Sequence, residues 1–271
     1  MDLIERPEHV GRRHPWEVAR ARFFVRLLER TGVLADAAGL GGVLDVGAGD
    51  AWLAEQLRAV LAPEARLACW DIHYPDDHPP SSATGSGVIE FSPTRPAGRF
   101  GAVLMLDVVE HVEHDVAFVA DNVEASLAPG GWVLVSVPAY QSLFSDHDRA
   151  LRHFRRYAPR ALAGVLESAG LAVQLRGGLF HGLLPLRAAQ LLRQRRSGPP
   201  APPGPPDPGG PGEGPSAEGV GAWGGGPLLT RALTAALGAE TRASLALGAR
   251  HVAVPGLSTW ALCRRAGEDR T

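Results

Sequence analysis

The chain predicts an α/β protein built on a doubly wound, largely parallel sheet, and three observations carry that prediction. Short apolar runs recur at Val43–Val46, Leu67–Trp70, 100–107 and 132–137. Helical patterns with three- and four-residue apolar spacing separate them. The firmest run, Val103-Leu104-Met105-Leu106, has no polar interruption, as a parallel strand covered on both faces requires. Sheets of this kind bind ligands beyond the carboxyl ends of their strands.

In chain order, the first helix is predicted over Pro15–Arg30. Trp16, Ala19, Phe23, Phe24, Leu27 and Leu28 form one stripe, Pro15 suits the first helical position and Gly32 the C-cap. Glu17, Arg20, Arg22 and Arg26 read as its solvated face, with Arg20 or Arg22 the side chains able to reach down to an anionic ligand group. Val43–Val46 is a buried strand with Asp45 near its carboxyl end, and Gly47 and Gly49 follow at once. From Ala51 a helical pattern through Trp52, Leu53, Leu57, Val60 and Leu61 runs to Pro63. The turn therefore joins a strand to a helix amino terminus, where glycines let backbone pass under a ligand and free amides are expected to face an anion. A dinucleotide fingerprint needs a third glycine where Trp52 stands, which argues against NAD or FAD. Leu67-Ala68-Cys69-Trp70-Asp71 gives a second strand ending in a carboxylate, whose two acceptor oxygens suit the vicinal hydroxyls of a ribose.

A short third strand is expected at 87–91 after a loop at 75–86, and the fourth at 100–107. A helix marked by Val116, Phe118, Val119, Val123 and Leu127 follows, then a turn at Pro129-Gly130-Gly131 and a strand at 132–137 ending at Pro138. Pro159–Ser168, closed by Gly170, reads as a helix and 171–176 as a strand. Residues 197–227 are rich in Pro and Gly without periodicity and read as a disordered insert. Beyond them 228–249 is helical, and 257–264 alternates like a strand that returns to the sheet. The expected division is thus one domain over 1–196, the insert over 197–227, and 228–271 completing the same domain.

At 271 residues and 45% hydrophobic content the chain can bury a sizeable core. With a formal charge of -2 and no basic domain, no nucleic-acid partner is expected, although Arg152, Arg155 and Arg156 cluster locally. Cys69 and Cys263 both fall in predicted strands and read as core residues of a reduced, cytoplasmic protein. No signal-like apolar run occupies residues 1–13, and nothing approaches the roughly 18 apolar residues of a spanning helix. Nothing in the sequence fixes an oligomeric state.

Taken with Phe100-Gly101-Ala102-Val103, Leu106-Asp107-Val108-Val109-Glu110-His111-Val112 and Leu127-Ala128-Pro129-Gly130-Gly131, the segment Leu44-Asp45-Val46-Gly47-Ala48-Gly49 resembles the motifs of class I S-adenosylmethionine (SAM) methyltransferases. The resemblance covers 15–189 and 257–265. It implies a Rossmann-like seven-stranded sheet whose antiparallel last strand forms the closing hairpin, with the insert between its sixth and seventh strands. It also implies SAM as cofactor and a small-molecule or lipid-linked acceptor, methylated at oxygen. A SAM-binding module of the same fold without turnover is the alternative. By the same resemblance Gly47, Ala48 and Gly49 would lie under the methionyl group. Asp45 would reach its ammonium through the loop or water, Asp71 with Ile72 would bind the ribose, and Asp107 with Val108 would touch cofactor or substrate.

His111 and His147 are the candidate bases, since imidazole titrates near neutral pH and both are expected in loops at the ligand end of the sheet; His153 is a third. The segment Asp146 to Tyr157 resembles a histidine-containing lid of small-molecule and lipid-linked methyltransferases. Asp107-x-x-Glu110-His111 also resembles metal-binding acid-x-x-Glu-His sites of some ubiquinone-type and RNA methyltransferases. Asp stands here for the usual Glu and a further histidine would be needed, so Glu110 is read as a helix-start carboxylate and no metal is assigned. Finally, residues 178–196 combine Leu179, Phe180, Leu183, Leu184, Leu186, Leu191 and Leu192 with Arg187, Arg193, Arg195 and Arg196. That suits peripheral contact with an anionic membrane; the alternative, with Pro185 interrupting, is a helix capping the substrate pocket.

Overall fold

The structure, a computed structural model, describes residues 13–75, 77–197, 226–248 and 254–265. At its centre β1 (Val43–Val46) pairs in parallel with β2 (Leu67–Trp70) on one side and β5 (Phe100–Leu106) on the other. All four β1 residues are buried, because a strand flanked by strands and covered by helices on both faces has no solvated side. β4 (Gly87–Ser92) extends the sheet beyond β2, and β6 (Leu127–Pro138) extends it beyond β5, both in parallel. The last strand, β8 (Ser258–Arg265), inserts antiparallel between β6 and β7 (Leu171–Leu179). This is the closing hairpin expected of the class I methyltransferase sheet.

The sheet has eight strands among the described residues, in the order β3-β4-β2-β1-β5-β6-β8-β7, rather than seven. The extra strand, β3 (Ser81–Thr84), pairs antiparallel with β4 inside the stretch expected to be a loop. All four of its residues are exposed, so Ser-Ser-Ala-Thr carries no apolar alternation to announce it. It forms by supplying partners to an otherwise open edge. A second difference concerns Pro129-Gly130-Gly131, which lies within β6. The pairing jumps from Phe100↔Leu127 to Ala102↔Trp132, and the intervening residues form a bulge with Gly130 at φ +70°.

Apolar cores fill both faces. One is built from α1 (Pro15–Arg30), α2 (Val33–Gly39), α3 (Trp52–Arg58) and α8 (Pro227–Gly248); the other from α4 (Asp115–Ser126) and α6 (Pro159–Ser168). Phe23 of α1 lies 5.3 Å from the ring of Trp260 on β8, which ties the amino-terminal helix to the last strand. α3 stops at Arg58, short of Pro63. The buried Arg58 guanidinium donates to the carbonyls of Leu61, Ala62 and Ala65 and so caps the irregular turn that follows. α5 (Asp146–Ala150) and α7 (Leu183–Ser197) lie at the carboxyl end of the sheet. Pro185 falls in the first turn of α7, where no amide partner is needed, so it starts that helix instead of interrupting it. Of the expected insert, residues 198–225 lie outside the described residues; Ser197 and Pro227 belong to α7 and α8. Cys69 and Cys263 are free and buried.

Candidate functional site

The turn after β1 is shaped by backbone conformation. Gly47, Gly49 and Ala51 have φ of 66°, 57° and 57°, and a Cβ on Gly47 would stand 2.5 Å from Val108 Cγ2. Its amides are committed elsewhere. Gly47 and Ala48 N–H both donate to the Trp70 carbonyl (2.7 and 3.2 Å), Gly49 N–H to Asp71 Oδ2 (2.8 Å) and Ala51 N–H to the Ala48 carbonyl (3.0 Å). The turn's own amides are thus consumed by Trp70, Asp71 and the turn itself, and α3, with seven residues, adds little dipole.

Charge at this site comes instead from side chains of α1 and β1. An open cleft lies between α1 and the turn, lined by residues of α1, β1 and α3. Glu17 lines it, is buried, and has no hydrogen-bond partner for either carboxylate oxygen; among the described residues the nearest cation, Arg13 Nη1, is 3.9 Å away. Desolvation raises the Glu17 carboxyl above its ordinary range. Asp45, also buried and in the lining, is pushed up to about 7 by desolvation against the pull of Arg20. Arg13 pairs with Asp50 at 2.6 Å and lies over the Trp52 ring, and Arg20 pairs with Asp107 at 2.6 Å. The reading of Glu17 and Arg20 as solvated is thus overturned, while Arg22 and Arg26 are exposed as expected. Glu17 continues the buried stripe of Ala21, Phe24 and Leu28; a carboxylate on an apolar stripe was the signal in the sequence.

The remaining expected ligand contacts divide. Asp71 is buried at the end of β2 and accepts from Gly49 N–H and from His73 N–H (2.9 Å to Oδ1), so it holds the glycine turn against β2. Each oxygen keeps a second lone pair. Ile72 is 72% exposed. Asp107 follows β5 at φ 59° with its amide on the Ser136 carbonyl, and Val108 closes over Gly47. Tyr140 after β6 and Phe180 after β7 also have positive φ. These strained residues gather at the carboxyl end of the sheet, where functional sites store strain.

Beyond Asp107 the chain makes a 3-10 turn, Val109–His111. Glu110 is fully buried, with neither carboxylate oxygen partnered, and desolvation drives its carboxyl well up, helped by Asp107. It sits in the first turn of this short 3-10 helix, but its carboxylate oxygens cap nothing. The His111 ring stands edge-on to His153, with centroids 4.6 Å apart. His153 Nδ1 lies 3.0 Å from Asp148 Oδ1, and Asp148 also accepts from Arg156 Nε (2.6 Å) and from the Ser145 amide (2.9 Å) and hydroxyl (3.0 Å). Although burial opposes it, these donors hold the Asp148 carboxyl far below its usual range. His147 is half-buried within α5 rather than in a loop, and desolvation lowers its pKa, favouring the neutral imidazole. Asp148 was missed from sequence, yet Ser145-x-x-Asp148 is a capping-box spacing.

A family profile described as "Methyltransferase domain" matches residues 16–175, more than half of the chain. The chain belongs to this family. No curated protein matches it. Among solved structures, the O-methyltransferase of neocarzinostatin biosynthesis, solved with SAM and a hydroxy-methyl-naphthoic acid, is 25% identical with a TM-score of 0.41, covering 58% of this chain and 53% of its own. An O-methyltransferase family protein from Burkholderia thailandensis is 19% identical at a TM-score of 0.45, with the same coverage. This chain therefore spans about half the length of these two proteins. The cyclase SpnF, 14% identical, aligns over 96% of this chain and 85% of its own at a TM-score of 0.50 and shares the fold. The cleft fits the methionyl part of the cofactor. It offers the orphaned carboxylate of Glu17 and the buried Asp45 to an ammonium, Arg13 and Arg20 to a carboxylate, and a Gly47 surface that a side chain would block.

Proposed function

We propose that the methyltransferase methylates a hydroxyl oxygen of a small-molecule or lipid-linked acceptor that enters over the histidines behind Asp107. The observation that carries this reading is the imidazole group His111, His147 and His153 gathered around the buried anion Asp148, at the same sheet end as the charged cleft. A hydroxyl must lose its proton as it is methylated, and a neutral imidazole can take it. In the cleft, Glu17 and Asp45 would hold the ammonium of SAM, Arg13 and Arg20 its carboxylate, and Asp71 its ribose hydroxyls while keeping the turn in place. Bound there, SAM supplies an electrophilic methyl group. Catalysis by the chain is then mainly positioning. His147, kept neutral by burial, accepts the hydroxyl proton, while His111 and His153 line the approach of the acceptor oxygen. His111 is thereby reassigned from base to acceptor contact.

The test is methyl transfer from isotopically labelled SAM to a panel of hydroxylated aromatics, hydroxy acids and polyprenyl-linked sugars, with amines as comparators. Label should enter oxygen acceptors, and His147→Ala should lower kcat roughly 10²-fold or more with unchanged SAM affinity. Transfer to amines alone would overturn the oxygen assignment.

A further inference from the structure

We propose that Arg187 of α7, held in place by Ser145 and backed by Arg156, is a subsite for a carboxylate carried by the acceptor, so that the protein takes a hydroxy acid. The arrangement starts from Asp148, buried in α5, which accepts from the Ser145 amide and hydroxyl, from Arg156 Nε and from His153 Nδ1. Its charge is thus spent on Arg156 and on neutral donors. Ser145 Oγ, having given its proton to Asp148, accepts from Arg187 Nη2 at 2.8 Å. Arg187 is therefore oriented through a hydroxyl and not by an ion pair, and its Nη1 reaches only the neutral Gln190 side chain at 3.0 Å.

Three observations point to an anion on Arg187. No carboxylate among the described residues pairs with it, whereas Arg149, Arg155 and Arg156 of the adjoining segment are matched by Asp146, Asp115 and Asp148. Its side chain is half-buried, so water screens the charge poorly. Burial first, and then Arg156, disfavour the charged guanidinium against the pull of Asp148. A guanidinium in that setting gains most from an anion that arrives with the substrate. Finally, Arg187 adjoins the candidate base. Beyond its own desolvation, His147 feels Asp148 in favour of its protonated form and Arg187, His153 and Arg156 against it. A hydroxyl at His147 and an anion at Arg187 can thus be carried by one small molecule.

Charge decides which oxyanion fits. Arg156 and Arg187 share the single carboxylate of Asp148, which leaves one positive charge in excess. Burial drives the nearby Glu110 carboxyl toward its neutral form, so it does not offset that excess. A monoanionic carboxylate cancels it, while a phosphate dianion exceeds it. The planar fork of Arg187 keeps donors beyond those on Ser145 and Gln190, and a carboxylate accepts from such donors in pairs. Joining this carboxylate to a hydroxyl at His147 rests on the proposed oxygen methylation; the anion subsite does not.

Matched probes isolate the charge. Calorimetry on the full chain saturated with S-adenosylhomocysteine compares 2-hydroxybenzoate and 3-hydroxybenzoate with the corresponding benzamides, which keep the shape without the charge, and with phenyl phosphate. In the parent a benzoate should bind roughly tenfold or more tightly than its amide, as charge-assisted hydrogen bonds provide. Arg187→Gln should remove that preference and leave the amides as they were. Arg187→Lys, which keeps the charge and loses the fork, should recover part of it. Arg149→Gln, which removes an exposed cation already paired with Asp146, should leave the preference unchanged. A merely structural Arg187 would weaken acid and amide alike. Should Arg187→Gln fail to fold by circular dichroism, Arg187→Lys decides, with a lowered preference expected. The subsite is overturned if no benzoate binds the parent more tightly than its amide, or if the preference survives intact in the folded variant. Tighter binding of phenyl phosphate would overturn the choice of carboxylate. Benzoate binding through Arg187 without methyl transfer to oxygen would count against the proposed reaction and not against the subsite.

Discussion

Asp45 shows how a single buried carboxylate sets a pH dependence. Its folded pKa of about 7 lies above the unfolded value near 4, so the folded state keeps a proton that the unfolded chain releases between those limits. Its contribution to stability therefore falls as pH rises from about 4 to 7, by an amount on the order of a few kcal/mol. Asp45→Asn removes the titration. The melting temperature of the variant relative to the parent should climb between pH 5 and pH 8; an equal difference at both values would refute the assignment. Gly47 makes a steric prediction. Gly47→Ala forces an L side chain into φ 66° and against Val108, and should cost about 1–3 kcal/mol in urea unfolding. Adding Val108→Ala should recover the contact part and leave the backbone part, giving a non-additive cycle. Independent, additive losses would mean that the two residues do not meet.

Among the elements, α7 is the one whose role sequence left open. Arg187 of α7 donates to Ser145 Oγ at 2.8 Å, which ties the helix to the α5 segment that carries Asp148 and His147. Leu191 is buried, while Leu186 and Leu192 are 66% and 55% exposed. Part of the helix thus packs inward, and part presents leucines outward. The side chains of Arg195 and Arg196 lie outside the described residues. No helix among the described residues is long and apolar enough to cross a membrane. If the exposed leucines meet a lipid surface, the protein should co-sediment with anionic vesicles at low salt, and Leu186→Ser with Leu192→Ser should reduce that binding. A parent protein that stays in the supernatant would leave a soluble acceptor as the expectation.

At the scale of the whole molecule, β8 must cross back between β6 and β7 after a long Pro- and Gly-rich excursion. The sheet thus depends on a strand supplied from beyond the proposed insert. Low-complexity sequence buries too little apolar surface to offset its ordering entropy. Replacing residues 198–225 by a short Gly/Ser linker should leave the melting temperature within a few degrees of the parent, whereas removing β8 should unfold the protein. A large fall with the linker would show that the excursion packs on the domain.

Sequence by itself determined the parallel sheet, the strand-glycine-helix turn and the acid at the end of β2. These features follow from local periodicity and from backbone freedom at particular residues such as Gly47. It even located Pro15–Arg30 and Pro159–Ser168 to the residue, because prolines mark their starts. Tertiary structure decided the rest. β3 carries no apolar pattern and exists only because β4 has an edge to fill. The amides of Gly47, Ala48 and Gly49 are taken up by Trp70 and Asp71 only because β1 and β2 lie side by side. Glu17 and Arg20 become part of the cleft only when α1 lies across β1, and Glu110, His111 and His153 meet only when the α5 segment folds back onto the end of β5. Burial, pairing and proximity belong to neighbours distant in the chain, and one-dimensional patterns do not record them.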